Sequence, residues 1–314
     1  MGNVYDYDTV ILGGGPAGLS AGIYMARSNA KTAIIDISML GGQPSNYLEL
    51  ENYPGFPIIG GYDLMEKFEE HADKFGVEKF PMQEIKSVDL LSQPKIVETM
   101  EGDVFKSKSV IIACGAKPKK LGVKGEEEFI GRGMSYCAVC DGAFYQDKTV
   151  AVVGGGNAAV EEGVYLTKFA KKVYIIHRRD ELRADKIVQE RAFANEKVEF
   201  VWNSVVKEIQ GADTVNNIVL ENVKSGEISD LAVDGVFAYI GFTPNIKDIN
   251  GQVEQDSNGF IITDSTMKTS VEGVFAVGDV RNTPLRQVIT ASADGAVGAV
   301  YAGKYIESLE KVAV

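Results

Sequence analysis

A strand that runs into a glycine-rich turn and then into a helix occurs twice in this 314-residue chain, and no other feature restricts the fold so tightly. In the first copy Val10-Ile11-Leu12 is a short buried-strand run and Gly13-Gly14-Gly15-Pro16-Ala17-Gly18 is the turn. An apolar-periodic helix is predicted from Leu19 to about Ser28. In the second copy Thr149 to Val153 reads as the strand, Gly154-Gly155-Gly156-Asn157-Ala158-Ala159 as the turn and Val160 to Phe169 as the helix. The spacing G-x-G-x-x-G brings backbone N–H groups and a helix N-terminus to one point, where a pyrophosphate can sit. One such fingerprint is weak, because glycine turns also serve packing. Here a second strand, Thr32 to Ile35, follows, and Asp36 ends it 23 residues after Gly13 (36 − 13), where an acid takes a ribose hydroxyl. Ala159 stands at the third glycine position of the second copy, an accepted variant.

The two copies differ where it matters chemically. Gly13 and Gly154 are 141 positions apart (154 − 13), and the same offset carries Asp36 to His177, which opens His177-Arg178-Arg179. An acid suits a free 2′-hydroxyl, whereas arginines suit a 2′-phosphate through charged, forked hydrogen bonds. Arg183 lies one helical turn beyond Arg179 and joins the candidate clamp. A solvated charge run is the plainer alternative, given Asp180 and Glu181 beside it. The first site thus reads as ADP-like without a 2′-phosphate, FAD or NAD, and the second as NADP.

Between the copies lies Cys137-Ala138-Val139-Cys140-Asp141. Two cysteines with two small residues between them can close a reversible disulfide, and the thiolate is the attacking species in exchange. Such a pair needs a proton donor and acceptor, for which Asp141 is the local candidate; a turn or helix-cap role is the other use of an Asp there. A zinc half-site or two unrelated buried thiols are the alternatives. Zinc needs about four ligands, and only Cys114, His71 and His177 remain, so no metal site is expected. His71, among Glu69, Glu70 and Asp73, reads as solvated helix surface. A flavin is a useful mediator between a hydride donor and sulfur, so FAD plus NADPH is the cofactor pair the chemistry favours.

The totals exclude several classes. A net charge of -12 argues against nucleic acid or an anionic membrane as partner. Hydrophobic residues at 45% and charged residues at 24% are those of a soluble globular protein. No apolar run approaches the roughly 18 residues that would span a bilayer. No secretory signal is apparent between Met1 and Asp8, and three cysteines favour thiol chemistry over structural bridges, so the cytoplasm is the expected location.

With both turns, the cysteine pair and the basic cluster placed, the chain closely resembles the low-molecular-weight bacterial thioredoxin reductases. The resemblance covers nearly the whole chain in the same order. It includes Gly41-Gly42-Gln43, Glu51-Asn52-Tyr53-Pro54-Gly55, Tyr239-Ile240-Gly241-Phe242-Thr243-Pro244-Asn245, Val277-Gly278-Asp279 and Arg286-Gln287-Val288. It implies an α/β fold of two Rossmann-like nucleotide-binding domains, with an NADPH domain (117–246) inserted into a discontinuous FAD domain (1–116 and 247–314). It implies that FAD is held by Gly13, Gly15, Pro16, Ala17, Gly18, Asp36, Gly42, Gln43, Asn52, Asp279, Arg286, Gln287 and Val288, with Asp279 on the ribityl chain and Arg286-Gln287-Val288 near the ring. NADPH then falls to Gly154, Gly156, Asn157, Ala158, His177, Arg178, Arg179, Arg183 and Ile240. By the same resemblance Cys140 is the sulfur beside the flavin, Cys137 attacks the partner disulfide, and Asp141 moves protons. The partner it implies is thioredoxin, and the assembly a homodimer.

The chain departs from the family at Cys114, where many relatives have threonine, and at Pro44 after the Gly-Gly-Gln motif. Cys114 is expected to be a small buried residue, not a third redox centre. The resemblance also implies that the inserted domain swings on linkers near residues 117–120 and 243–247. Arg132-Gly133 and Phe144 resemble parts of the family's partner-contacting surface, while ordinary surface and ordinary core explain them equally well.

Overall fold

A computed structural model describes residues 2–47, 50, 52–249 and 251–312, with the side chains of residues 139, 140, 248, 310 and 312 outside the described set. The chain forms two compact units, one of residues 1–117 with 243–314 and one of residues 118–242. The sequence reading puts the second crossing four residues later, at 246/247 (246 − 242). Both crossings run through extended backbone, Ala116–Pro118 and Phe242–Pro244.

The outer unit begins with β1 (Val4–Leu12), α1 (Pro16–Arg27) and β2 (Thr32–Ile35). Strand β1 is longer than Val10-Ile11-Leu12 alone suggests, because its first half alternates exposed and buried residues along the sheet margin. Helix α1 starts three residues earlier than its apolar period suggests (19 − 16), since Pro16 at the first helical position is pre-set to helical φ. Next come α2 (Gly61–Lys74), β3 (Glu78–Phe80), β4 (Ile85–Asp89), β5 (Lys95–Thr99) and β6 (Val104–Ile112). Strands β3, β2, β1 and β6 are consecutive and parallel, and β5 and β4 extend the sheet antiparallel from the first half of β6.

The inserted unit is a second parallel sheet. It is built from β8 (Met134–Ser135), α3 (Ala138–Asp141), β9 (Thr149–Val153), α4 (Asn157–Leu166), β10 (Lys172–His177), α5 (Lys186–Phe193) and β11 (Val198–Trp202), with β7 being the Ala116–Pro118 crossing. An antiparallel meander follows, β12 (Ser204–Gly211), β13 (Val215–Asn222) and β14 (Ile228–Ala232), and then β15 (Gly235–Ala238) returns to the sheet. The order is β11-β10-β9-β15-β8. Strand β9 is buried along Val150–Val153, as a central strand covered on both faces must be. One core lies on each face: Val150 and Val152 join the helices α3, α4 and α5, and Ala151 and Val153 join the meander.

The chain then re-enters the outer unit through β16 (Phe242–Pro244). Strand β17 (Val274–Ala276) pairs parallel with the second half of β6, and α6 (Val288–Val312) packs on α1. Among the described residues no helix is long and apolar enough to cross a membrane.

Candidate functional site

In the outer unit the first glycine turn is shaped by close backbone approach. Gly13 has φ +106°, and a Cβ on Gly18 would lie 1.8 Å from the Gly13 carbonyl oxygen, so no side chain fits there. Gly15 caps α1 without any side-chain hydrogen bond to the helix, which leaves the first-turn N–H groups for an anion. The nearest atom to a Cβ on Gly15 would be the Gly42 Cα at 3.9 Å, and Gly42 itself holds φ +64°. Gly42 therefore faces the turn. Asp36 directly follows β2 and braces the turn: its Oδ2 accepts the Gly14 N–H at 2.6 Å, and its Oδ1 accepts the Ser38 N–H and Oγ–H at 2.8 and 2.9 Å. A carboxylate has about four lone-pair sites, so one remains for a hydroxyl.

The other residues expected to hold FAD converge in part. Gly278 (φ +72°) seats its Cα against the start of α1, since a Cβ there would lie 2.9 Å from the Ala17 Cβ. Asp279 follows it. Burial pushes the Asp279 carboxyl up to about 6, with Arg286 opposing and Asp294 adding to the rise. Arg286 is in turn pulled down by burial, stands 4.0 Å over the Phe260 ring, and keeps a buried Nε with no hydrogen-bond partner among the described residues. Asn52 Nδ2 donates to Gln287 Oε1 at 3.0 Å, so these two residues meet although 235 positions apart. Gln43 Nε2 donates to the Ala116 carbonyl. Val288 opens α6. Glu51 lies outside the described residues. A desolvated acid, an orphaned guanidinium nitrogen and uncapped helix amides fit a polar, phosphate-bearing cofactor on this turn. Cys114 is half-buried at the edge of the core and donates its thiol to the Leu12 carbonyl at 3.3 Å.

In the inserted unit the second turn is built differently. Gly156 caps α4, again with no side-chain bond, and a Cβ on it would meet nothing within 4 Å. A Cβ on Gly155 would strike the His177 ring at 2.4 Å. His177 is only 4% exposed, so it packs beneath the turn and does not face the surface above it. Burial, then Arg183, Arg179 and Arg178, push its pKa down, and its Nε2 has no hydrogen-bond partner among the described residues. Its ring is thus spent on packing under the turn, away from the exposed surface where the arginines lie. The three arginines are exposed and make no ion pair among the described residues, while neighbouring Asp180 is taken by Lys224. The Arg183 N–H donates to the Gly155 carbonyl at 2.7 Å, fixing that residue at the turn. Asn157 is occupied on both sides of its amide, donating to Asp185 Oδ2 at 2.8 Å and accepting the Asp185 N–H at 2.6 Å. Ala158 and Ile240 are exposed.

The cysteine motif forms the short helix α3, whose Asp141 N–H donates to the Cys137 carbonyl at 3.2 Å. Cys137 is disulfide-bonded. The Cys140 side chain lies outside the described residues. Burial pushes the Tyr145 phenol up to about 12, with Asp141 and then Asp234 adding to the rise. Three acceptor residues that sequence reading missed fix the entry to α3 with five hydrogen bonds. Ser135 Oγ accepts the Cys137 N–H at 3.0 Å, and Tyr239 Oη accepts the Ala138 N–H at 2.7 Å. Glu126, 1% exposed, accepts the Tyr136 hydroxyl at 2.7 Å along with the Leu121 and Gly122 N–H groups. Only a buried acid among polar neighbours could have hinted at Glu126. Phe144, just past the helix, is 73% exposed and so is not core. Among the described residues no cluster of His, Cys, Asp or Glu could hold a metal ion.

Two glycine turns on parallel sheets and a disulfide on the second unit define a nucleotide-dependent disulfide oxidoreductase. The family model for pyridine nucleotide-disulphide oxidoreductases matches residues 7–295, and the chain belongs to that family. It is 49% identical over 306 residues to the thioredoxin reductase of Bacillus subtilis strain 168, covering 97% of this chain and 96% of that protein. The crystal structure of Lactococcus lactis thioredoxin reductase in the FR conformation has a TM-score of 0.91 at 45% identity, covering 96% and 99% of the two chains. That of T. acidophilum thioredoxin reductase has a TM-score of 0.87 at 34% identity, covering 97% and 99%.

Proposed function

We propose that the chain is an NADPH-dependent thioredoxin-disulfide reductase, with FAD in the outer unit and NADPH in the inserted one. FAD, when bound, supplies a two-electron centre that exchanges hydride with nicotinamide and electrons with sulfur. The residues do the rest. Asp36 and the open amides of α1 hold an unphosphorylated ribose and a pyrophosphate. Arg178, Arg179 and Arg183 hold a 2′-phosphate, while His177 supports the turn from below. Cys137 and Cys140 carry the electron pair out to thioredoxin, and Asp141 holds or moves the proton. Exposed Phe144 and Arg132 supply a partner-facing surface beside the pair. A cytoplasmic homodimer is the setting that the resemblance implies.

One observation carries this reading: a disulfide-bonded Cys137 in the same unit as a phosphate-ready turn flanked by three exposed arginines with no ion pair among the described residues. The test is anaerobic titration with NADPH while the flavin spectrum is followed, then addition of thioredoxin. Bleaching by NADPH and recovery on adding oxidised thioredoxin are expected. A Cys137→Ser variant should bleach normally and fail to pass electrons on. Purified protein that cannot take up a flavin would sink the scheme.

A further inference from the structure

One residue ties the start of the redox helix to the second nucleotide turn. Tyr239 directly follows β15, and its N–H donates to the Val153 carbonyl at 2.8 Å, the last residue before Gly154. Its own carbonyl oxygen stands 2.4 Å from where a Cβ on Gly154 would be, so the turn rests against this peptide. From the same backbone the side chain reaches α3. Its hydroxyl oxygen accepts the N–H of Ala138, a contact across 101 positions. Ala138 is buried, belongs to the same core as Val152, Ala159 and Phe237, and is the neighbour of Cys137. The Cys137 N–H is already taken by Ser135 Oγ, so both amides at this end of α3 are engaged by hydroxyl oxygens.

We propose that Tyr239 is a positioning residue for the Cys137 disulfide, its hydroxyl holding the first amide of the redox helix in the arrangement of the oxidised form. The inference rests on the redox role proposed above. Reduction breaks the S–S bond, adds two electrons and two protons, and leaves two thiols that must move apart. The Cys137 end of α3 shifts in doing so, and the Ala138 amide shifts with it. A hydrogen bond made in the oxidised arrangement and weakened in the reduced one opposes that movement. A buried amide also loses more when its acceptor is removed than a solvated one would.

Tyr239→Phe removes the acceptor and keeps the ring. The protein is equilibrated in dithiothreitol buffers, whose dithiol supplies the electron pair and is oxidised to its cyclic disulfide, then alkylated and weighed. The dithiol-to-disulfide ratio of Y239F should rise about fivefold over the native chain at a fixed buffer poise, the size of one net hydrogen bond. The extent of flavin bleaching by excess NADPH should be unchanged. Ala138→Pro removes the donor at a helix position that tolerates proline, and serves alone if Y239F does not fold. The double variant should shift no further than either single one. A ratio equal to native in Y239F, or shifts that add in the double variant, would overturn the assignment. If the native protein takes up no flavin or reduces no protein disulfide, the function proposed above is what fails; a native enzyme that works beside an unshifted Y239F removes only the role of Tyr239.

Discussion

The two glycine turns share a pattern and a spacing, yet the residue at the end of the second strand is used in opposite ways. Asp36 keeps its carboxylate at the turn, accepting the Gly14 N–H and the Ser38 groups. His177, its counterpart 141 positions on (177 − 36), turns inward under Gly155 and is buried. Charge at the second turn comes instead from the residues after the strand, Arg178, Arg179 and Arg183. An internal repeat thus tells where a ligand-facing position falls along the chain. Which side chain faces the ligand is decided by the space beneath each turn.

The harshest way to break the comparison is Gly18→Ala. Position 18 corresponds to Ala159 (159 − 18 = 141), but a methyl at 18 would overlap the Gly13 carbonyl at 1.8 Å. G18A should cost about 3 kcal/mol or more in stability and abolish flavin retention, read by the absorbance of the purified protein. Next is the double variant R178Q/R179Q. Losing two charged, forked contacts should erode preference for NADPH over NADH by about ten- to a hundredfold in kcat/KM, with the NADH rate kept. An unchanged ratio would leave the 2′-phosphate without its clamp. Asp36→Ala should do the converse, weakening flavin retention and leaving that ratio alone.

Acid separates the units more gently. The His177 pKa is depressed from 6.5 in the folded chain, so its contribution to stability is present above about 6.5 and is lost as pH falls toward the folded value. Asp279 is raised from 3.8 to about 6, so the flavin-free outer unit loses stability as pH rises across that interval. Hydrogen exchange of the apoprotein should show opposite slopes in the two units, each flattened by His177→Phe and Asp279→Asn respectively. The smallest effect is expected from Ala159→Gly, about 1 kcal/mol from the looser helix, with NADPH binding kept.

Strand β2, strand β9 and both turns were legible because buried-strand runs and glycine spacing are local signals, and the bounds of β2 and β9 agree with the periodicity. The antiparallel meander of β12 to β14 was not, since its half-exposed strands carry no chemistry-bearing motif. Local pattern also could not tell that Phe144 is exposed, which excludes a place in the core. The Tyr239–Ala138 and Asn52–Gln287 bonds join residues 101 and 235 positions apart. Such contacts depend on how strands stack, and no spacing rule records them. His177 is the instructive case, read as a phosphate contact on its basic neighbours and found packed against a glycine.

The interrupted outer unit has a consequence for biosynthesis. The inserted sheet draws every strand from one continuous stretch, so it can close as soon as Gly235–Ala238 has left the ribosome. The outer sheet cannot. Until Val274–Ala276 emerges, the far half of β6 keeps an open edge, and until Val288–Val312 follows, α1 lacks the helix that covers it. The first part of the chain to be made is therefore the last to be finished, and nascent chains stalled between those points present a sticky apolar seam to chaperones and to one another.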